Sequence, residues 1–145
     1  MTQPPSTSDQ SSQYDIYRHA FEKSPAPTII TRLHDGLIID VNPAFERWTG
    51  NSRDSLVGQT TNLELAWLKP ANRQQFIDSI KSHHGVYSEE RLLDIPGQGL
   101  RYCRSSAQLF SLDNEETIIS LFQDLTEERR QQQSIEQNEA HLQLL

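Results

Sequence analysis

The stretch that decides the fold is residues 28–50, TIITRLHDGLIIDVNPAFERWTG. Residues 28–33 and 37–41 are rich in β-branched side chains, which pack well on a pleated surface. Between them His34-Asp35-Gly36 supplies a turn, its glycine able to take the positive φ that other residues resist. The reading is a β-hairpin. Asn42-Pro43 then offers a helix cap followed by proline at the first helical position, where its missing N–H costs nothing. Ala44, Phe45 and Trp48 fall on one helical face before Gly50 closes the segment. A hairpin therefore runs straight into a short helix.

Working outward toward the C-terminus, residues 54–58 read as another short turn of helix, 61–68 as a third, and Lys69-Pro70 as a break. Residues 73–84 form a longer helix with Phe76, Ile77 and Ile80 on one face and Gly85 as terminator. Strand character then returns. Residues 86–95 and 99–110 flank Pro96-Gly97-Gln98, and 116–124 carries Ile118, Ile119, Leu121 and Phe122 after the turn-like Leu112-Asp113-Asn114. Five strands in the order two, helices, three predict an α+β fold: one antiparallel sheet with short helices over one face. The other face is left for a flanking helix or another protein.

Toward the N-terminus, residues 1–13 are Ser, Thr, Gln and Pro around one Asp, with too little apolar surface to offset the cost of ordering. Tyr14, Tyr17, Ala20 and Phe21 fall at helical spacing before Ser24-Pro25-Ala26-Pro27, predicting a short amphipathic lead-in helix and an extended approach to the first strand. Residues 125–145 are dominated by Glu, Gln and Arg without Gly or Pro, and read as an exposed helix leaving the domain. The expected organisation is a disordered lead at 1–13, a domain at 14–124 including the lead-in helix, and an exit helix at 125–145.

Composition bounds the function. The chain has 145 residues, 34% hydrophobic and 23% charged, with net charge −7 and mean hydropathy −0.67. That length suits one domain. The acidic balance argues against nucleic acid as a partner, because phosphate-binding modules carry a basic face. The lone Cys103 makes no intrachain disulfide and the N-terminus has no signal-peptide pattern, so a reducing, cytoplasmic setting is expected. The longest apolar runs, such as Leu37-Ile38-Ile39, fall far short of the ~20 residues that cross a bilayer, so no direct membrane contact is expected.

Several pieces, in order, resemble a PAS sensory domain over roughly residues 17–130. They are Phe21-Glu22-Lys23-Ser24-Pro25, Asp35-Gly36, Val41-Asn42-Pro43-Ala44-Phe45, Trp48-Thr49-Gly50, Leu56-Val57-Gly58 and Asp124-Leu125-Thr126-Glu127; their order and spacing carry the resemblance. It implies a cupped five-stranded sheet with short helices over an interior cavity, used for sensing and dimerisation rather than catalysis. The implied parent is a bacterial-type signalling protein such as a sensor histidine kinase or a diguanylate cyclase. Asn42 is the expected structural cap. Asp124 and Thr126 sit where the last strand becomes the exit helix, Asp124 with Glu127 approximating a capping box. A stiff junction there would relay a shift of the sheet to the helix; a cap without signalling role is the alternative.

Within that resemblance, the cavity would be lined by Ile29 and Thr31 from the first strand, by Phe45, Trp48, Trp67, Phe76 and Ile80 from the helices, and by Cys103, Ser105 and Ala107 on one strand. The same aromatics would equally fill a packed core. An unidentified small molecule is the expected ligand of an occupied cavity, with Arg91 or Arg104 pairing with a carboxylate unless strand alternation puts both in solvent. Haem is disfavoured, because His83 and His84 lie at a helix end away from its apolar face. A covalent flavin adduct is disfavoured, because Gly58-Gln59-Thr60-Thr61-Asn62 holds no cysteine. No metal-ligand spacing, phosphate loop or nucleophile motif is present, so the fragment is not expected to be an enzyme. His141 is followed by Leu142 rather than the acidic residue a phosphoacceptor helix would carry.

Two functions stand as expectations: a sensory input domain, or a ligand-free dimerisation scaffold. A homodimer is predicted through the outer sheet face and the aromatic stripe at 14–21. The tail echoes the lead-in helix around Tyr17, so the tail helix is read as a connector that becomes the entry helix of a second module of the same kind, with a generic polar linker helix as the alternative.

Overall fold

The computed structural model describes residues 7–61, 65–68 and 73–144, and the side chains of 15–61, 65, 67–68 and 73–143. Helix α1 (Thr7–Lys23) leads to strands β1 (Thr28–Arg32) and β2 (Ile38–Val41). Helices α2 (Pro43–Thr49) and α3 (Arg53–Leu56), a 3-10 turn at Ala66–Leu68, and α4 (Arg73–Ser82) follow. Strands β3 (Val86–Ile95), β4 (Gly99–Leu112) and β5 (Glu115–Asp124) complete the sheet, and α5 (Thr126–Leu144) leaves it. All neighbours pair antiparallel in the order β2-β1-β5-β4-β3. The last strand therefore sits at the centre beside the first, and Phe122 N–H donates to Pro27 O (3.0 Å), so the chain enters and leaves the domain side by side. The α+β architecture expected from the strand and helix order is the one observed.

Local chemistry explains the joints. Gly36 turns the first hairpin with φ 74°, and a Cβ there would stand 2.7 Å from Thr61 Oγ1, so glycine is needed for both conformation and space. Asp113 and Asn114 both take positive φ (50° and 63°), the two-residue turn whose twist matches antiparallel strands, and this carries β4 to Leu112 and starts β5 at Glu115. Asn42, wholly buried, caps α2 by accepting from Phe45 N–H (2.9 Å). Its Oδ1 also accepts from Thr28 N–H (2.9 Å), and its amide donates to the carbonyls of Phe21 (3.1 Å) and Ala26 (3.0 Å). One side chain thus ties the end of α1, the start of β1 and the start of α2.

One expectation is corrected. Helix α1 begins at Thr7, so 7–13 are helical rather than a disordered lead, while 1–6 lie outside the described residues. The sequence has no glycine or proline between Pro5 and Pro25, and extending a nucleated helix costs far less per residue than starting one. The third helical segment, expected over 61–68, is helical at Thr61, whose carbonyl accepts from Leu65 N–H (3.3 Å), and closes in a 3-10 turn at Ala66–Leu68; 62–64 and the Lys69-Pro70 break lie outside the described residues. Along α1, Tyr17 is exposed and Phe21 half-buried; the Tyr14 side chain is outside the described set.

Among the described residues the core is in two clusters. One gathers Ile29, Ile38, Val41, Phe45, Leu56, Leu65, Leu68, Leu93, Ile95, Cys103 and Phe122, with Trp48 and Trp67 against it. The other holds Leu33, Ile80, Ala107 and Ile118, with Phe76, Ile77, Tyr87 and Leu109 packed on it.

Candidate functional site

Between the two clusters the inner face of the sheet carries small side chains. Ile29 on β1 stands opposite Ser120 on β5, Ser120 opposite Ala107 on β4, and Ala107 opposite Tyr87 on β3. In the next row Phe122 faces Ser105 and Ser105 faces Glu89. Ser120, Ala107 and Ser105 carry short side chains, and a cavity of about 70 Å³ remains beside them. Its apolar wall includes Ile29, Leu68, Phe76, Ile118 and Phe122; its polar wall includes Thr31, Thr61, Arg73, Glu89 and Arg91.

The polar wall is held in place from its own strands and helices. Tyr87 Oη donates to Glu89 Oε2 (3.1 Å), and Glu89 Oε1 lies 3.4 Å from Arg91 Nε. Arg91 also donates to the carbonyl of Leu68, and Arg73, the first described residue of α4, donates to the carbonyl of Leu33. Burial, then the hydrogen bond to Glu89, raises the Tyr87 hydroxyl above its ordinary pKa.

Of the residues the sequence offered for the cavity, Ile29, Thr31, Phe76, Ser105 and Ala107 line it. Phe45, Trp48, Trp67, Ile80 and Cys103 do not. Phe45 and Ile80 are closed inside the clusters, and Trp48 packs edge-on against Trp67 (5.7 Å between ring centres) and stacks on Phe122 (5.1 Å). The indole N–H groups of Trp48 and Trp67 are buried and meet no acceptor among the described residues. Cys103 is buried, and desolvation, reinforced by Asp124, pushes its thiol up to about 11. Arg91 lines the cavity, whereas Arg104 lies on the opposite face and pairs with Glu90 (2.6 Å). His83 and His84 are exposed and outside the cavity. Arg73, Tyr87, Glu89 and Ser120 were not anticipated. Alternation along β3 carried the signal for two of them: Tyr87, Glu89, Arg91, Leu93 and Ile95 share one face, and three of these are apolar or aromatic.

The second part of the site is the junction of β5 with α5. Asp124 accepts from Arg101 Nε (2.7 Å) on one oxygen and from Thr126 N–H (2.9 Å) and hydroxyl (2.5 Å) on the other. Burial alone would raise the Asp124 pKa; the hydrogen bonds from Thr126 and Arg101 outweigh it and hold the carboxyl below its ordinary value. The capping box does not form: Glu127 takes a hydrogen bond from Arg130 (3.0 Å), and the Thr126 hydroxyl accepts from Tyr102 N–H (2.9 Å) on β4 instead of capping the helix. Tyr102 O accepts in return from Leu125 N–H (2.7 Å), and the Arg129 guanidinium lies 3.9 Å above the Tyr102 ring. The helix start is therefore fastened to β4 as well as β5.

The two parts are linked by register. Arg91 stands opposite Cys103, and Cys103 opposite Asp124, in one row across β3, β4 and β5. At about 4.8 Å per strand, the cavity arginine and the junction carboxylate are about 10 Å apart along that row. Among the described residues there is no group of His, Cys, Asp and Glu able to hold a metal ion, and no helix long and apolar enough to cross a membrane.

A family model described as the PAS fold matches residues 15–125. A search of curated proteins finds no match to the chain. Among solved structures, the PAS domain of BvgS from Bordetella pertussis is similar at 16% identity and TM-score 0.62, covering 90% of this chain and 98% of that one. A domain of a sensory box sensor histidine kinase/response regulator from Geobacter sulfurreducens is similar at 20% identity and TM-score 0.60, covering 80% and 98%. A PAS domain in complex with ethanol, from a LuxR-family transcriptional regulator of Burkholderia thailandensis, is similar at 22% identity and TM-score 0.55, covering 75% and 96%. At these identities the likeness is one of fold.

Proposed function

The chain belongs to the PAS-fold family of sensory domains, and from that premise we propose that it is the cytoplasmic input module of a larger signalling protein. Such a parent would be a sensor histidine kinase or a diguanylate cyclase. The content of the cavity sets the pose of α5, and α5 carries the signal onward. The observation that carries this reading is the row Arg91, Cys103, Asp124, which joins a cavity-lining side chain to the carboxylate fastening the exit helix. A change at Arg91 moves β3 against β4, and the Arg101 and Tyr102 anchors of the helix are on β4. Replacing Arg91 with Gln tests it: nitroxide labels on α5 and β1, read by pulsed electron resonance, should report a shifted or broadened distance. An unchanged distribution would refute the relay.

A second reading is favoured by the surface of α1, where Ile16 is 65% and Tyr17 74% exposed. These side chains do not fold back on their own sheet, and a homodimer through α1 and the outer sheet face would cover them. Sedimentation at increasing concentration tests it, and a monomer throughout would reject it.

A further inference from the structure

We propose that the cavity takes a small monocarboxylate, with Arg73 as its principal counter-charge; this rests on the sensory reading above and specifies its ligand. The chain carries net charge −7, yet among the described residues the cavity wall holds Arg73 and Arg91 against Glu89, a local sum of +1. An acidic protein that places two guanidinium groups in a partly enclosed space has made that space attractive to an anion. Glu89 balances Arg91, which it approaches at 3.4 Å, so the excess charge is that of Arg73.

Arg73 is also out of place for helix stability. It is the first described residue of α4, whose first turn holds no acidic side chain among the described residues, although a helix N-terminus favours anions and disfavours cations. Its guanidinium is anchored through one amino group on Leu33 O, and a guanidinium has five N–H donors in a planar fork that matches a carboxylate. The rest of the wall sets the size and shape of the guest. Ser105 and Ser120 offer hydroxyls, while Ile118 and Phe76 offer apolar surface, so the guest has a charged end and a short hydrocarbon end. A volume of about 70 Å³ is roughly half of the ~150 Å³ that accommodates a benzene, which limits the guest to fewer heavy atoms than benzene has.

The test is a titration of the 145-residue chain with propionate, propionamide and propylammonium, followed by NMR amide shifts of Ser105, Ala107 and Ser120. Propionate should bind at least tenfold more tightly than either isostere. Arg73→Gln should bring it down to the level of propionamide, with unchanged amide shifts of the core residues Ile38 and Leu93 as the control for folding, and Arg73→Lys should recover most of the difference. Equal binding of propionate and propionamide, a preference for propylammonium, or no shift with propionate would each overturn the carboxylate assignment. Shifts at the amides of Thr126 and Glu127 in the same titration report the relay separately: propionate that binds without moving them upholds the ligand and refutes the relay.

Discussion

Replacing Asp124 with Asn keeps the shape of the side chain and removes its charge. The carboxylate serves Arg101 on one oxygen and Thr126 on the other. An amide has one acceptor oxygen, so in one orientation its NH2 faces the Arg101 donor and in the other it faces Thr126 N–H. Either way a donor meets a donor. Hydrogen bonds to charged groups contribute about 1.5–3 kcal/mol, and solvent-exposed ion pairs about 0–1 kcal/mol. With the Arg101 and Asp124 side chains only 25% and 24% exposed, the expected loss lies in the lower part of the first range, at about 2 kcal/mol. Since about 1.4 kcal/mol is tenfold in an equilibrium, the first turn of α5 should open about 30 times more often. Amide hydrogen exchange read by NMR at residues 126–133 measures this, with Ile29 and Ile30 on β1 as the internal control. Unchanged exchange at 126–133, or equal acceleration on β1, would refute the reasoning, because the charge would then not be fastening the helix in particular.

Asn42→Ala leaves Thr28 N–H without its acceptor and removes the cap of α2, while Phe45 N–H keeps the backbone oxygen of Asn42 (3.0 Å); urea denaturation should show a loss of about 3 kcal/mol, and a loss below about 1 kcal/mol would contradict the four-way tie. The lowered pKa values of Asp124 and Glu90 give a pH dependence whose sign follows from linkage: their contribution is complete above their ordinary values and is lost as pH falls through the lower folded ones. Stability measured by urea should therefore fall below about pH 4, and less steeply in Asp124→Asn than in the parent. Cys103, buried with its thiol raised to about 11, should react with a thiol reagent at pH 8 only as fast as the domain opens; a native-state rate near that of free cysteine would place it at the surface.

Local signals were readable and long-range register was not. Asn42-Pro43, His34-Asp35-Gly36 and Asp113-Asn114 act within a few residues, and each produced the cap or turn its chemistry requires. The cavity depends on four strands meeting in register, and nothing local announces that Ile29, Ser120, Ala107 and Tyr87 form one row, because the last strand inserts beside the first. Large aromatics drew attention as lining, but Phe45, Trp48 and Trp67 have enough surface to reach one another and close the core. The gap is left where side chains are short, at Ser105, Ala107 and Ser120. Alternation on β3 did put Glu89 and Arg91 on the apolar face, a contradiction in the pattern that marks a polar interior. The helical start at Thr7 was illegible because Thr, Ser and Asp, five of residues 7–13, have middling propensity, so the outcome rests on helix already formed downstream.

The central claim is that the cavity and the exit helix are one mechanical unit. Ser120→Leu fills the cavity from the centre of the sheet without touching the junction. Amide exchange at residues 126–133 should change at least fivefold in that variant, and the change should disappear when Asp124→Asn is present as well. An effect confined to the neighbours of Ser120, such as Ile29 and Ala107, with 126–133 unmoved, would contradict the account.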